Sequence, residues 1–289
     1  MCDHPPAYWR ERMEQSPTVR GRRLCRELKR LREAAGLSIE EASRRLDFSK
    51  SKLSRIENGR SRVITDDLED MLDLYNVPSP KREALINLGR EARRRGWWTK
   101  YADVFTGSYI GLESEAAKIR VNAHLVPGFL QTEEYAREII ARTGPALDAA
   151  EIERRVAARM ARQQALLSRS DPPEIHIIFD ESALRRLVGG PEVMRRQLAA
   201  LTEAAERPNV TLQVLSFAVG GHAGAEGEFV ILVFPDPEDA PVAYVEGLMG
   251  DVYIESDEEI DRFNLAWDHM LEVALDPNAS LAFLGELAG

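Results

Sequence analysis

The sequence predicts a mixed fold: an all-α N-terminal domain of five helices, then an α+β domain carrying a small mixed sheet. Three observations carry this. Residues 18–95 are a series of amphipathic helical patterns punctuated by Gly, Asp and Pro. After residue 170 helical patterns alternate with short runs rich in Val, Ile and Phe, and the last such runs follow one another directly. Charge divides the same way. Residues 1–100 hold 23 Lys and Arg against 16 Asp and Glu, net +7, and the remaining 15 against 32 leave residues 101–289 at −17. The net charge of −10 therefore joins a basic module to an acidic one, as expected of a chain with one nucleic-acid-binding end.

The expected divisions are a flexible segment over 1–17, a helical domain over 18–96 and an α+β domain over 97–289. Residues 1–17 show no period and contain three prolines. The first helix, Thr18 to Ala35, lines up Leu24, Leu28 and Leu31, with Gly36 just past its end. The centre of the domain is SIEEASRRLDFSKSKLSRIENG, Ser38 to Gly59. Ser38 caps a helix to about Leu46, with Glu40 and Glu41 in the first turn, where the helix dipole favours negative charge. Asp47 and Phe48 make a tight turn, Ser49 caps the next helix, and Gly59 ends it with φ > 0. Leu46, Phe48, Leu53 and Ile56 face one small core, and Ser43 is small where the two helices cross. That leaves Lys50, Ser51, Ser54 and Arg55 facing outward, an arrangement the DNA major groove admits. A fourth helix starts at a Thr65 cap, with Leu68, Met71, Leu72 and Tyr75 inward. Pro78 and Pro80 stop the chain, and a fifth helix runs from Lys81 to Arg95. Arg93, Arg94 and Arg95 are read as a solvated helix end, with phosphate contact as the alternative.

Arg20 to Tyr75 resembles helix-turn-helix domains of the phage-repressor (XRE, lambda-repressor-like) type, most specifically in LSRIENGR, Leu53 to Arg60. The resemblance implies base contacts from Lys50, Ser51 and Arg55. It implies phosphate contacts from Ser49, Lys52, Asn58, Arg60 and Arg62, and a structural ion pair between Arg32 and Glu57. Two positions depart from the pattern. Ile39 stands where many relatives carry a DNA-touching Gln, and Asp47 stands where Gly is usual. Asp tolerates the left-handed region better than most residues, so the turn survives with some strain. The wider chain resembles actinobacterial XRE-type regulators described as antitoxin-like, on LVPGFLQTEEYA (Leu125 to Ala136) and GEFVILVFPDPEDAPVAYVEG (Gly227 to Gly247). That resemblance implies a transcription regulator whose C-terminal domain has no established catalytic activity and whose partner is a small protein encoded nearby.

In the second domain, Trp97 and Trp98 are expected to wedge between the domains, with ligand stacking as the alternative. Thr132 caps a helix to Thr143. Asp148 to Ser168 is a long helix with Ile152, Val156, Met160, Gln163 and Leu167 down one side, and its Ala-rich character suits close helix packing, a dimer seam included. Strands are expected over Glu174–Asp180, Val210–Phe217, Glu228–Phe234, Val242–Glu246 and Val252–Glu255, and helices over Glu181–Val188 and Pro191–Glu206. A last helix, Asp257 to Leu275, ends before Pro277.

Chemistry is sparse there. None of the five histidines has a partner at metal-ligand spacing, and there is no G-x-S-x-G elbow, P-loop or dinucleotide fingerprint. No metal and no cofactor is expected. Asp180-Glu181 ends a strand, where catalytic carboxylates occur, but it reads first as a helix start. The glycine-rich loop 220–227 is the candidate ligand or partner loop through Gly221, His222, Gly224 and Glu226, with a plain connector as the alternative. Cys2 and Cys25 form no framework, with Cys25 read as packing. No run approaches the about 20 apolar residues of a membrane helix. No signal-peptide pattern opens the chain, which reads as cytoplasmic.

The expectation is a homodimeric, sequence-specific transcriptional regulator on a palindromic operator, its C-terminal domain dimerising and sensing a small protein or molecule. The alternative is an antitoxin-like protein that neutralises a small basic partner. A third reading, an enzyme fused to a DNA-binding head, needs turnover that depends on Asp180, Glu181 or His222.

Overall fold

A computed structural model describes residues 19–59, 61, 63–92, 96–105, 109–143, 147–247 and 250–289. The flexible segment expected at 1–17 and the triplet Arg93–Arg95 lie outside the described residues. The chain divides into two compact units, Met1–Glu115 and Ala116–Gly289.

The first unit is helical: α1 Val19–Ala34, α2 Ile39–Arg45, α3 Lys50–Glu57, α4 Thr65–Leu74, α5 Ser79–Ala92, a 3₁₀ turn Trp97–Tyr101 and α6 Tyr109–Glu115. One apolar core joins α1 to α5 through Leu24, Leu28, Leu53, Ile56, Leu68 and Leu85. Cys25 is buried in that core, and burial pushes its thiol up to about 11, so it packs rather than reacts. Two helix starts differ from expectation. Ile64, not Thr65, holds the extended cap conformation (φ −77°, ψ 162°), so Thr65 is already helical and caps nothing. Pro80 does not delay α5, which starts at Ser79, because a proline in the first turn removes only a donor that has no helical partner. The tryptophan pair belongs to this unit, with Trp97 edge-on to Trp98 and Phe105 at centroid distances of 6.2 and 5.7 Å. Expectation assigned residues from 97 onward to the second domain, whereas this unit runs on to Glu115.

The second unit is α+β. Its strands are β1 Lys118–Ala123, β2 Glu174–Asp180, β3 Val210–Leu215, β4 Phe229–Val233, β5 Val242–Val245 and β6 Val252–Ile254. They form one mixed sheet of order β3-β2-β1-β4-β5-β6. The first three strands run parallel and β4, β5 and β6 pair antiparallel. Helices α7 Glu133–Thr143 and α8 Ala149–Leu167 lie between β1 and β2, and α9 Glu181–Arg185 and α10 Pro191–Ala205 between β2 and β3. Helix α11, Asp257–Val273, covers one face of the sheet, where Trp267 and Met270 pack on Ile178, Leu215, Phe229 and Ile231.

One expectation changes in this unit. The helix expected to be the last does end before Pro277, at Val273, but another follows it: Asp276 caps α12, Pro277–Ala288, by accepting from the Ala279 N–H at 2.9 Å, and the proline sits in its first turn. The apolar stripe of α8 is used within its own chain. Val156, with Ile152 and Met160 beside it, packs on Ala136 and Ile140 of α7.

Candidate nucleic-acid interface

The α2–turn–α3 segment is held from inside. The Ser38 hydroxyl accepts from the Glu41 N–H at 3.2 Å, and the Ser49 hydroxyl from the Lys52 N–H at 3.0 Å, so each helix opens on a side-chain cap. Asp47 has φ +54°, and the chain turns so tightly there that the Phe48 N–H reaches the Ser43 carbonyl at 2.8 Å. Ser43 is buried, and Gly59 follows α3 at φ +66°. Behind α3, Arg32 and Glu57 form a bidentate pair, Nε to Oε1 at 2.7 Å and Nη2 to Oε2 at 2.9 Å. The Arg32 Nη1 also donates to the Leu37 carbonyl at 2.8 Å, and the Glu57 carboxylate holds the guanidinium above its usual pKa. This pair clamps α1 to α3, and Arg32 also ties α1 to Leu37, just ahead of α2.

The outward face presents the residues the sequence assigned to DNA, but in different states. Ser49, Lys50, Ser51, Arg55 and Asn58 are exposed, while Lys52 and Ser54 are half-buried. Arg55 makes no hydrogen bond or ion pair with a described residue. Lys50 is paired with Glu40 of α2. Lys52 is held by Asp67 of α4 at 2.8 Å and lies 3.7 Å from the centre of the Phe48 ring. Asn58 donates to the Ser54 carbonyl at 2.8 Å, which ties it to the end of its own helix. Ile39 leans on the core. Arg60 and Arg62 lie outside the described residues. Sequence spacing found the cations and missed their carboxylate partners. Glu40 and Asp67 lie in the first turns of their helices, a position that leaves no trace in the sequence of what stands opposite them.

In the second unit the loop 220–227 is pinned at its middle. A methyl on Gly224 would run into the Met270 sulfur and the Asn122 amide. Asn122 donates to the Gly224 and Gly227 carbonyls at 2.9 and 2.8 Å, and its buried Oδ1 has no partner among the described residues. His124 Nε2 lies 3.1 Å from the same Gly224 carbonyl. His222 accepts from the Gly224 N–H at Nδ1 (3.2 Å) and places Nε2 3.4 Å from Asp180 Oδ2. Gly221 and Glu226 are exposed. Asp180 caps α9 through the Ser182 N–H at 2.8 Å. Burial would raise its carboxyl, but hydrogen bonds from Ser182 and His222 hold it below the usual range. Glu181 accepts from the Phe217 N–H at 2.7 Å and pairs with Arg185. Both carboxylates are occupied by structure. No group of three potential metal ligands occurs among the described residues, and no helix there is long and apolar enough to cross a membrane.

Two family models match this chain. One, described as a helix-turn-helix domain, covers residues 23–85, and the other, described as Domain of unknown function (DUF5753), covers residues 106–286. No curated protein and no solved structure matches it.

Proposed function

We propose that this chain, which belongs to the DUF5753 family by a match to more than half its length and carries a helix-turn-helix domain ahead of it, is a sequence-specific transcriptional regulator of the XRE type. The helix-turn-helix match supports a DNA-binding regulator rather than an enzyme. The observation that carries the reading is α3 itself, capped, clamped by Arg32–Glu57 and turning outward an Arg55 that pairs with no described residue.

In this reading Lys50, Ser51 and Arg55 touch base edges. Ser49, Lys52, Asn58, Arg60 and Arg62 hold phosphates. One such helix reads only a few base pairs, so the protein works as a homodimer on a palindromic operator with half-sites about 34 Å apart. The DUF5753 domain dimerises the protein and senses a small protein or a small molecule. The net −17 of residues 101–289 favours a second reading, in which the domain chiefly neutralises a small basic partner and DNA binding is secondary.

The test is a footprint of the full chain on DNA upstream of its own gene at two salt concentrations. Protection of a two-part palindrome that persists at the higher salt is expected. Diffuse protection that disappears with salt would reduce the interaction to phosphate attraction. A small-protein complex that leaves operator affinity unchanged would favour the second reading.

A further inference from the structure

The LVPGFLQT segment that follows β1 is held by three glutamines. Gln131 donates to the Val126 carbonyl at 2.7 Å. Gln163 of α8 donates to the Phe129 carbonyl at 3.0 Å. Gln197 of α10 donates to the Leu130 carbonyl at 2.8 Å and accepts from the Thr132 N–H at 2.7 Å. Gln131 and Gln197 are buried. A loop whose carbonyls are satisfied by side chains from two helices is fixed in place, as the frame of a binding site must be.

What the frame presents is Arg159, short of partners among the described residues. Arg159 of α8 makes one hydrogen bond among the described residues, Nη1 to Gln131 Oε1 at 2.6 Å, and forms no ion pair there. Burial pulls its guanidinium down to about 10, and the nearby Arg162 cation pulls the same way. Glu246, just past β5, and Tyr135 act on it from a distance, without an ion pair or hydrogen bond to it. Gly128 makes room for the two arginines: a methyl there would stand 3.0 Å from Arg162 Nη1 and 3.6 Å from Arg159 Cζ. Arg162 also lies 5.6 Å from the centre of the Phe129 ring. The buried Tyr135 hydroxyl makes no hydrogen bond of normal geometry with a described residue, lies near the Val126 backbone N–H, and feels the charge of Arg159. The cluster stands at the carboxyl ends of β1 and β5, beside the point where the parallel half of the sheet gives way to the antiparallel half. Ligands of open α/β sheets gather at that edge.

A half-buried guanidinium with most of its donors unused costs stability unless an anion completes it. We propose that Arg159, with Arg162 beside it over Gly128, binds the carboxylate or phosphate group of a small-molecule ligand. Guanidinium forks match both groups. Glu246 opposes a second negative charge, so the ligand carries its anion at one end. This names a ligand class for the sensing role proposed above and rests on that role only for the consequence at DNA.

The test follows the melting of the full chain against rising inorganic phosphate and, separately, acetate, with chloride at matched ionic strength. Phosphate stabilises folded proteins in general by exclusion from their surfaces, so the saturating part of the rise is the signal. Wild type is expected to saturate with at least one anion. Arg159→Met is expected to lose the saturating part. Arg159→Lys keeps the charge without the fork, serves if Arg159→Met does not fold, and should half-saturate at about tenfold higher anion. Saturation by phosphate alone supports a phosphorylated ligand, and by acetate alone a carboxylate. A linear rise with both anions in wild type, or a saturating rise unchanged in both variants, overturns the site. Saturable binding that leaves operator affinity unchanged overturns the sensing role and leaves the site standing.

Discussion

The two units handle polar groups in opposite ways. The helical unit builds an apolar core with the buried ion pair Arg32–Glu57 behind it, and leaves Lys50 and Arg55 exposed. The sheet unit buries amides: Asn122, Gln131, Gln197 and Gln213 are all at or below 7% exposure, and most of their bonds go to backbone carbonyls. A rigid head that reads DNA needs donors in water with their bases fixed. A domain that encloses a ligand needs a fixed irregular backbone, and buried amides supply it. The first arrangement is written in local spacing and the second is not.

The largest effect should come from the clamp. Glu57→Ala leaves Arg32 buried without its carboxylate, at a cost of about 3–5 kcal/mol. Hydrogen exchange should show α1, α2 and α3 opening while β1, β2 and β3 stay protected. The double change Arg32→Met with Glu57→Leu should restore most of the loss. Equal opening of both units after Glu57→Ala would erase the distinction between them.

The matching cut in the sheet unit is Gln197→Leu. It strands the Leu130 carbonyl and the Thr132 N–H together, so about 2–4 kcal/mol is expected. Urea denaturation measures it. The exposed Glu226, changed to Gln as a control, should move stability by no more than about 0.5 kcal/mol.

What was legible follows from the same contrast. Caps, left-handed positions and apolar periods act over four or five residues. So Ser38, Ser49, Asp47 and Gly59 could be placed from sequence, and so could most strands of the sheet. Helix α12 was missed although its signal was local: Asp276-Pro277 is a cap followed by a first-turn proline, which reads equally as a stop. The Asp180–His222 contact, the Asn122 anchor of Gly224 and the Arg159–Gln131 bond span 28 to 102 residues. They arise only when distant segments of the fold come together, and no spacing rule reaches that far.

A smaller effect sharpens the outward face of the head. Arg55→Ala should cost about 1–3 kcal/mol on the preferred site and relax its sequence preference. Lys52→Ala should weaken all DNA about equally and flatten the salt dependence. Because Asp67 holds Lys52 in the free protein, Asp67→Asn should do the reverse and raise affinity several-fold for every sequence. Competition binding on matched and scrambled duplexes separates the three. If Arg55→Ala and Lys52→Ala behave alike, the division of α3 into base-reading and phosphate-holding residues fails.

The smallest effect separates the units by pH. In the sheet unit, burial lowers the pKa of His176, which sits against Gln213 at 2.7 Å and edge-on to Trp267. Arg120 of β1 adds to the lowering, while Glu174 of its own strand opposes it. The folded state then binds fewer protons than the unfolded one. Its contribution is complete above the unfolded value of about 6.5 and is lost as pH falls through the lower folded value. In the helical unit, Arg30 and Lys81 hold the Glu27 carboxyl down to about 2. Its contribution, about 1 kcal/mol after solvent screening, is complete above the unfolded value of about 4.3 and is lost only as pH falls toward 2. Acid should therefore loosen the sheet unit first and the helical unit later. His176→Gln should flatten the first loss without touching the second, and Glu27→Gln the second without the first. Region-resolved hydrogen exchange between pH 7 and pH 3 measures both. Simultaneous loss in the two units would mean that they unfold as one cooperative body, and the contrast in how they bury polar groups would then have no thermodynamic counterpart.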